Sequence, residues 1–498
     1  MGLTRRQLFG LSGGIVSGVA LTACGLALSS PGGSTGAVLT SRVPLPSPFA
    51  VELPALTSLR PDRHGRARLT VRRKGIEILP GRTTEIAGYD GTFPGPTIEA
   101  TKGDPLHLDV RNAPDVPIVN HLHGGVVPPE HDGYPTDLVR PGTSRAYEYP
   151  LDQRAATLWY HDHAMDLTGP NVYAGMAGAF VLRDPAEEDL GLPAGERELT
   201  LVITDRSFGE DAELVYPVTD GVIDSRYHGG LLGDVMLVNG APWPRTDVDA
   251  ARYRVRILNA CNARRLSLAL DPGGDIVQVG TDLSLLTAPH RRSTLTLAPA
   301  ERADVVLDFS QHSPGTRVTL VNRLGDGDMA TVMRFDVARR AKDESRVPKR
   351  LTTIEPIDPA SVVRTRDFHL SLGSRLSESE GHGSHGSQGQ GRGQGPSLQM
   401  WSINGRPYRP GADIARPKLG TVERWRFTTD VHHPVHAHLV GFQVEQDGAP
   451  AWKDTIDVAP SSRAEVLVPI EGYRGRYVLH CHNLEHEDRM MMADFSMV

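Results

Sequence analysis

Twenty histidines stand in this 498-residue chain, and ten of them fall in four short clusters. The clusters are His121-Leu122-His123, His161-Asp162-His163, His433-Pro434-Val435-His436-Ala437-His438 and His480-Cys481-His482-Asn483-Leu484-Glu485-His486. Imidazole is the commonest metal-binding side chain near neutral pH. His-x-His on a strand turns both rings to one face, because successive side chains alternate. Four such pairs occur: 121/123, 161/163, 436/438 and 480/482. The last cluster carries the most information. His480 and His482 point one way, so Cys481 can bind a second metal on the opposite side of the same strand.

His433, Cys481, His486 and Met491 together offer two imidazoles, one thiolate and one thioether. That is the ligand set of a blue copper electron-transfer site, with methionine as the long axial ligand. Zinc competes for Cys/His ligands, but structural zinc sites usually bring paired Cys-x-x-Cys, which the chain lacks. Spacing favours Met491 over its neighbours Met490 and Met492. The other eight histidines lie near the two ends of the chain. They can meet only if a first and a last unit pack together.

Three units are visible. Asp90-Gly91, Asn239-Gly240 and Asn404-Gly405 each follow an apolar or aromatic residue and precede prolines. Asn-Gly and Asp-Gly are turn signals, and the prolines stop helices. An alternating strand follows each: Leu106–Arg111, Tyr253–Asn259 and Val422–Thr428. Met176-Ala177-Gly178-Ala179-Phe180-Val181 resembles Met492-Ala493-Asp494-Phe495-Ser496-Met497. The chain therefore reads as all-β: three β-sandwich units at 50–185, 186–355 and 356–498. The middle unit has no His-x-His pair and reads as a structural bridge. Asp162 holds, between its two histidines, the place of Cys481, so the first unit has no blue site. Residues 381–396, with His382 and His385, read as a disordered Gly/His loop.

Composition agrees. Hydrophobic residues are 39%, charged residues 23%, and Gly (52) and Pro (38) are abundant, as turn-rich globular domains require. A formal charge of −7 is no footprint for nucleic acid. Three cysteines exclude a disulfide framework, and Cys261 reads as a small buried apolar residue. Residues 1–28 read as an address: Thr4-Arg5-Arg6-Gln7-Leu8-Phe9 is a twin-arginine export pattern, and Leu21-Thr22-Ala23-Cys24 resembles a lipobox. Lipid on Cys24 would anchor the protein at the outer face of a cytoplasmic membrane, or the chain would be secreted. Residues 29–49 read as a flexible tether.

Over residues 50–498 the chain resembles the multicopper oxidases, in particular the bacterial spore-coat laccase and bilirubin oxidase branch. Trp159–Met165, Asn171–Gly175, Gly233-Asp234, Leu237–Gly240 and Leu297–Arg302 read like that branch. The resemblance implies cupredoxin-like Greek-key domains and four copper ions. Type 1 copper would sit on His433, Cys481, His486 and Met491. Type 2 would sit on His121 and His436. The type 3 pair would sit on His123, His161, His163, His438, His480 and His482. Family members take single electrons at type 1 and reduce O₂ to water at the trinuclear cluster.

That reduction also needs four protons, so carboxylates must relay them. Asp132 and Glu487 match acidic positions of the family's bacterial members and are assigned proton delivery. His432 reads as a residue outside the ligand set. The expected donors are phenols, aminophenols or related aromatics; the alternative is a metallo-oxidase of Cu(I), Mn(II) or Fe(II). The Met-rich insert of cuprous oxidases has no counterpart between Met333 and Met400. An axial Met implies a low to middling type 1 potential and poor activity on phenols lacking electron-donating groups. Three domains in one chain complete the cluster without a partner, so a monomer is expected.

Overall fold

A computed structural model describes residues 33–219, 222–376 and 398–498. The expected address segment with Cys24, and the loop 381–396 with His382 and His385, lie outside these residues. The chain forms three two-sheet sandwiches. In the first, the strands Thr84–Tyr89, Arg66–Ile76, Leu106–Asn112 and Ser144–Tyr149 make one sheet. Ser58–Leu59, Gly95–Thr101, Ala177–Arg183, Ala156–Asp162 and Asn120–His123 make the other. The second domain pairs a seven-stranded with a five-stranded sheet, and the third a six-stranded with a five-stranded one. Each sandwich closes on its own apolar core, around Leu69, Tyr147 and Phe180, around Val255, Leu268 and Phe335, and around Trp425, Val435 and Phe495. Among the described residues the α-helices are short: Thr168–Ala174 and Leu484–Asp488.

The three turn motifs share one geometry. Asp90 and Gly91 have φ of 53° and 67°, Asn239 and Gly240 52° and 86°, and Asn404 and Gly405 55° and 70°. Two successive positive φ values define a type I′ hairpin turn, which is why Asp-Gly and Asn-Gly stand there. Each Asp or Asn also clips its turn to a neighbouring strand. Its side chain accepts from, and its N–H donates to, the backbone of Thr70, Val202 and His369 respectively.

One expectation fails. Residues 33–49 are not a tether but an arm packed on the second domain. Ala37–Val38 pairs in parallel with Leu231–Leu232. The backbone N–H of Ser41 donates to Asp234 at 2.7 Å, that of Arg42 to the Phe208 carbonyl at 2.8 Å. Ala37 and Val43 are buried. The Ser/Gly/Pro/Thr composition favours flexibility, but the parallel bridge, the hydrogen bonds to Asp234 and Phe208 and the buried Ser34, Thr35, Ala37 and Val43 dock the arm.

Candidate metal centre

The end strands of the first and third domains bring the eight expected histidines into one buried cluster. His121 and His123 lie on Asn120–His123, which pairs antiparallel with Ala156–Asp162 so that His121 faces His161. In the third domain His433–Ala437 pairs with Gly475–Cys481 so that His436 faces His480. His163, His438 and His482 stand just past the strand ends. The two halves interlock ring on ring. His121 stacks on His438 with centroids 3.7 Å apart, and His123 stacks on His436 at 3.6 Å. His161 and His482 lie 5.2 Å apart, and His163 and His480 4.9 Å.

The ring nitrogens show what the cluster is for. Nδ1 of His121 donates to the Asp132 carbonyl at 2.6 Å, Nδ1 of His161 to the Asp162 carbonyl at 2.8 Å, and Nδ1 of His436 to the Asp454 carbonyl at 2.8 Å. A carbonyl only accepts, so the proton is on Nδ1 and Nε2 is left with a lone pair. Those three Nε2 atoms are buried without a partner, as are both nitrogens of His482. Nε2 of His480 lies 3.3 Å from Nε2 of His438 and 3.4 Å from Nε2 of His163. Buried lone pairs facing one another cost free energy unless a cation joins them. Protons do not supply that cation. Burial, with neighbouring imidazoles adding to it, holds His161 down to about 3, and burial holds His163 down to about 4. His121, His123, His436, His438 and His482 lie well below the ordinary imidazole value for the same first reason. The donor set therefore fits metal ions.

Two carboxylates flank the rings. Asp132 is buried and accepts from His438 Nδ1 at 2.6 Å; burial pushes it well above the usual carboxylate range. Glu487 Oε2 lies 3.0 Å from His480 Nδ1, and Oε1 lies 3.6 Å from His163 Nε2. Burial works to raise Glu487, but His480 and His163 outweigh it and hold the carboxyl down to about 2. Environment thus separates two buried carboxylates.

On the other side of Cys481 lies a second site. Its Sγ is 3.3 Å from His433 Nδ1 and 3.6 Å from His486 Nδ1, and those two nitrogens are 3.1 Å apart. Met491 is fully buried in the same core cluster. It is tied to the site by its backbone: Cys481 N–H donates to the Met491 carbonyl and Met491 N–H to the His486 carbonyl. The outer nitrogen of each ring is fixed, His433 Nε2 against Asp430 at 2.9 Å and His486 Nε2 on the Gly229 carbonyl at 3.0 Å. Trp401 packs against His486, the rings tilted by 32° with centroids 3.8 Å apart. The Asn483 N–H donates to Cys481 Sγ at 3.4 Å. His432 stays outside, 3.5 Å from Asp457. Cys261 is buried.

Sequence reasoning missed five contributors: Asp430, Trp401, Gly229, Asp454 and Arg302. Gly229 acts through a carbonyl, which any residue carries. Asp454 and Arg302, from the third and second domains, meet beside His123. Arg302 closes the family-like Leu297–Arg302 segment, a signal the sequence does carry; Asp454 has none.

Comparison with known proteins agrees with this geometry. The multicopper oxidase family profile matches residues 70–187 and 387–497. The chain is 35% identical to the laccase of Bacillus subtilis (strain 168), over 82% of this chain and 89% of that one. It is 33% identical to the bilirubin oxidase of Albifimbria verrucaria, covering 91% and 80%. The structure of a multicopper oxidase from Campylobacter jejuni, described as a metallo-oxidase, superposes with a TM-score of 0.71 at 26% identity, covering 95% and 98%.

Proposed function

The chain belongs to the multicopper oxidases, and from that premise we propose the following reading of its sites. It is a laccase-like oxidase of phenols, aminophenols or related aromatic donors, with O₂ as electron acceptor. Four coppers are held: type 1 on His433, Cys481, His486 and Met491, type 2 on His121 and His436, and the type 3 pair on His123, His161, His163, His438, His480 and His482. Bound copper supplies single-electron transfer and the reduction of O₂ to water. One observation carries the reading: Cys481 Sγ belongs to one site while His480 and His482, its covalent neighbours, belong to the other.

The chain's own residues do the rest. The stacked rings of two domains hold the cluster dry and preorganised. His433 and His486 are immobilised by Asp430, Gly229 and Trp401, so little rearrangement accompanies a change of charge. Asp132 and Glu487 hold and pass the four protons that each O₂ requires, at the His438 Nδ1 and His480 Nδ1 sides. The protein works as a monomer. The Arg5-Arg6 pattern and the Leu21–Cys24 segment support twin-arginine export and a lipid-anchored or secreted place in the cell envelope.

The test is O₂ uptake by the copper-loaded protein with an electron-rich aminophenol or methoxyphenol and, in parallel, with Cu(I). Rapid uptake with the phenol and little with Cu(I) is expected. Uptake mainly with Cu(I) would replace this reading by a metallo-oxidase, the activity named for the Campylobacter protein.

A further inference from the structure

The second domain has no paired histidines, yet one of its side chains reaches the histidine cluster. Arg302 opens the strand Arg302–Asp308 and is buried. A buried guanidinium is costly unless its five N–H donors all find acceptors. Here they do. Nε donates to the Thr157 carbonyl of the first domain at 2.9 Å. One NH₂ donates to the Ala300 carbonyl at 3.0 Å and to Asp454 Oδ1 at 2.7 Å. The other donates to the Asp282 carbonyl at 2.9 Å and to Asp454 Oδ2 at 2.6 Å. One side chain of the second domain therefore joins the first and the third, and its two-pronged grip fixes the plane of the Asp454 carboxylate.

Asp454 in turn touches two rings. Its carbonyl accepts from His436 Nδ1 at 2.8 Å, and its Oδ1 lies 3.2 Å from His123 Nε2. The Thr455 hydroxyl donates to that same oxygen at 2.9 Å. Asp132 makes the same pair of contacts with the domains exchanged. Its carbonyl accepts from His121 of its own domain and its carboxylate from His438 of the other. The two aspartates differ in their cations. Among the described residues no arginine or lysine lies within ion-pair distance of Asp132, whereas Asp454 is gripped by Arg302.

We propose that Arg302 and Asp454 are positioning residues for the trinuclear site. The guanidinium fork holds the Asp454 carboxylate still, and Asp454 aims His123 and His436 at the shared metal space. Asp132 has no such guanidinium fork; His438 Nδ1 holds its carboxylate. Lysine cannot replace the arginine, because an ammonium offers three donors at one point and no planar fork. This inference rests on the reading of these rings as copper ligands.

The test uses the full chain, copper-loaded, as wild type, Arg302→Lys and Asp454→Asn. Three readouts are taken: the visible band of the thiolate-bound copper, the type 2 electron paramagnetic resonance signal, and bound copper during titration with a chelator. Both variants are expected to keep the visible band while their trinuclear coppers leave at about 10- to 100-fold lower chelator strength, as outer partners of metal ligands do. Variants that titrate like wild type would overturn the proposal. So would parallel loss of both copper classes as Asp454→Asn unfolds, which is what a purely structural tie predicts. Should Arg302→Lys fail to fold, Asp454→Asn decides alone, since it keeps the shape and one acceptor for the fork. Wild-type protein without a type 2 signal after loading would overturn the functional reading itself, and is distinguishable from either failure of the variants.

Discussion

The first and third domains carry the same local backbone with opposite contents. Asp162 N–H donates to the Met176 carbonyl as Cys481 N–H does to Met491. Met176 N–H donates to the Asn171 carbonyl as Met491 N–H does to His486. His163 N–H donates to the Val119 carbonyl as His482 N–H does to Pro434. Ile118, Asp162, Asn171 and Met176 thus occupy the positions of His433, Cys481, His486 and Met491. In the first domain the cradle is closed on itself. Asp162 accepts from Val119 N–H at 2.8 Å, Ala164 N–H at 3.1 Å and Asn171 Nδ2 at 3.0 Å. In the third, Asn483 N–H keeps its equivalent bond, now to Cys481 Sγ, and two imidazoles face the sulfur. The scaffold fixes where the side chains stand; their identity at three positions decides whether two imidazoles face a sulfur or a carboxylate fills the space.

The largest expected effect breaks the third-domain member of this pair. Cys481→Ser removes the thiolate that joins the two sites. The visible band and donor-driven O₂ uptake should fall to background, while the eight clustered rings still bind copper. Copper analysis beside oxygen-electrode rates checks this; donor oxidation at the wild-type rate would show that electrons do not enter through Cys481.

Next come the carboxylates beside the rings. Glu487→Gln and Asp132→Asn should each lower O₂ turnover by about 10²-fold, the scale of a lost general acid or base, and rates within about a factor of two of wild type would remove them from proton delivery. The visible band should not change, since neither side chain touches Cys481. Steady-state rates with one fast donor, read against the band, separate the two sites.

A third prediction contrasts the seams. The first and third domains meet through histidines, the first and second partly through ions. Glu198 lies 3.1 Å from Arg183 of the first domain and 2.7 Å from Arg256 of the second. Burial works to raise its carboxyl, but Arg256 and Arg183 outweigh it and hold it down to about 2 from 4.5. The folded carboxyl stays ionised where the unfolded one already binds a proton. Its stabilisation is complete above pH 4.5 and is lost as pH falls toward 2. Glu198→Gln should cost roughly 2–3 kcal/mol of unfolding free energy at pH 7, with the gap to wild type closing in acid. Copper content should not move. Denaturant titrations at several pH values check it, and an equal loss at every pH would sink it.

What could be read from the sequence was whatever repeats at fixed spacing. His-x-His pairs, Asp-Gly and Asn-Gly turns and alternating strands each announce themselves locally, and the structure gathers those histidines as the pattern required. Asp454, Arg302 and Gly229 carry no such spacing. Their roles arise where three domains meet, or through a main-chain carbonyl that no residue type marks. The arm at 33–49 docks against its composition, because composition describes the unfolded preference of a segment, not the edge it finds.

The smallest effect is also the sharpest test of the comparison. Asp162→Cys alone places sulfur where Cys481 has it, but Ile118 and Asn171 offer no imidazole. The variant should show no second visible band. It should lose about 1–3 kcal/mol of stability, because a thiol is a poor acceptor for three buried N–H donors. Adding Ile118→His and Asn171→His, with Met176 already present, supplies the missing ligands. That triple variant should gain a second thiolate–copper band beside the first, read as a rise in absorbance and one more copper per chain. A band in the single variant would mean that copper in the first domain needs no histidines. A triple variant that folds, as judged by its intact first band, yet stays unchanged in colour would mean that the two domains share a backbone but not a ligand geometry. The equivalence of Asp162 and Cys481 would then be a matter of hydrogen bonding alone.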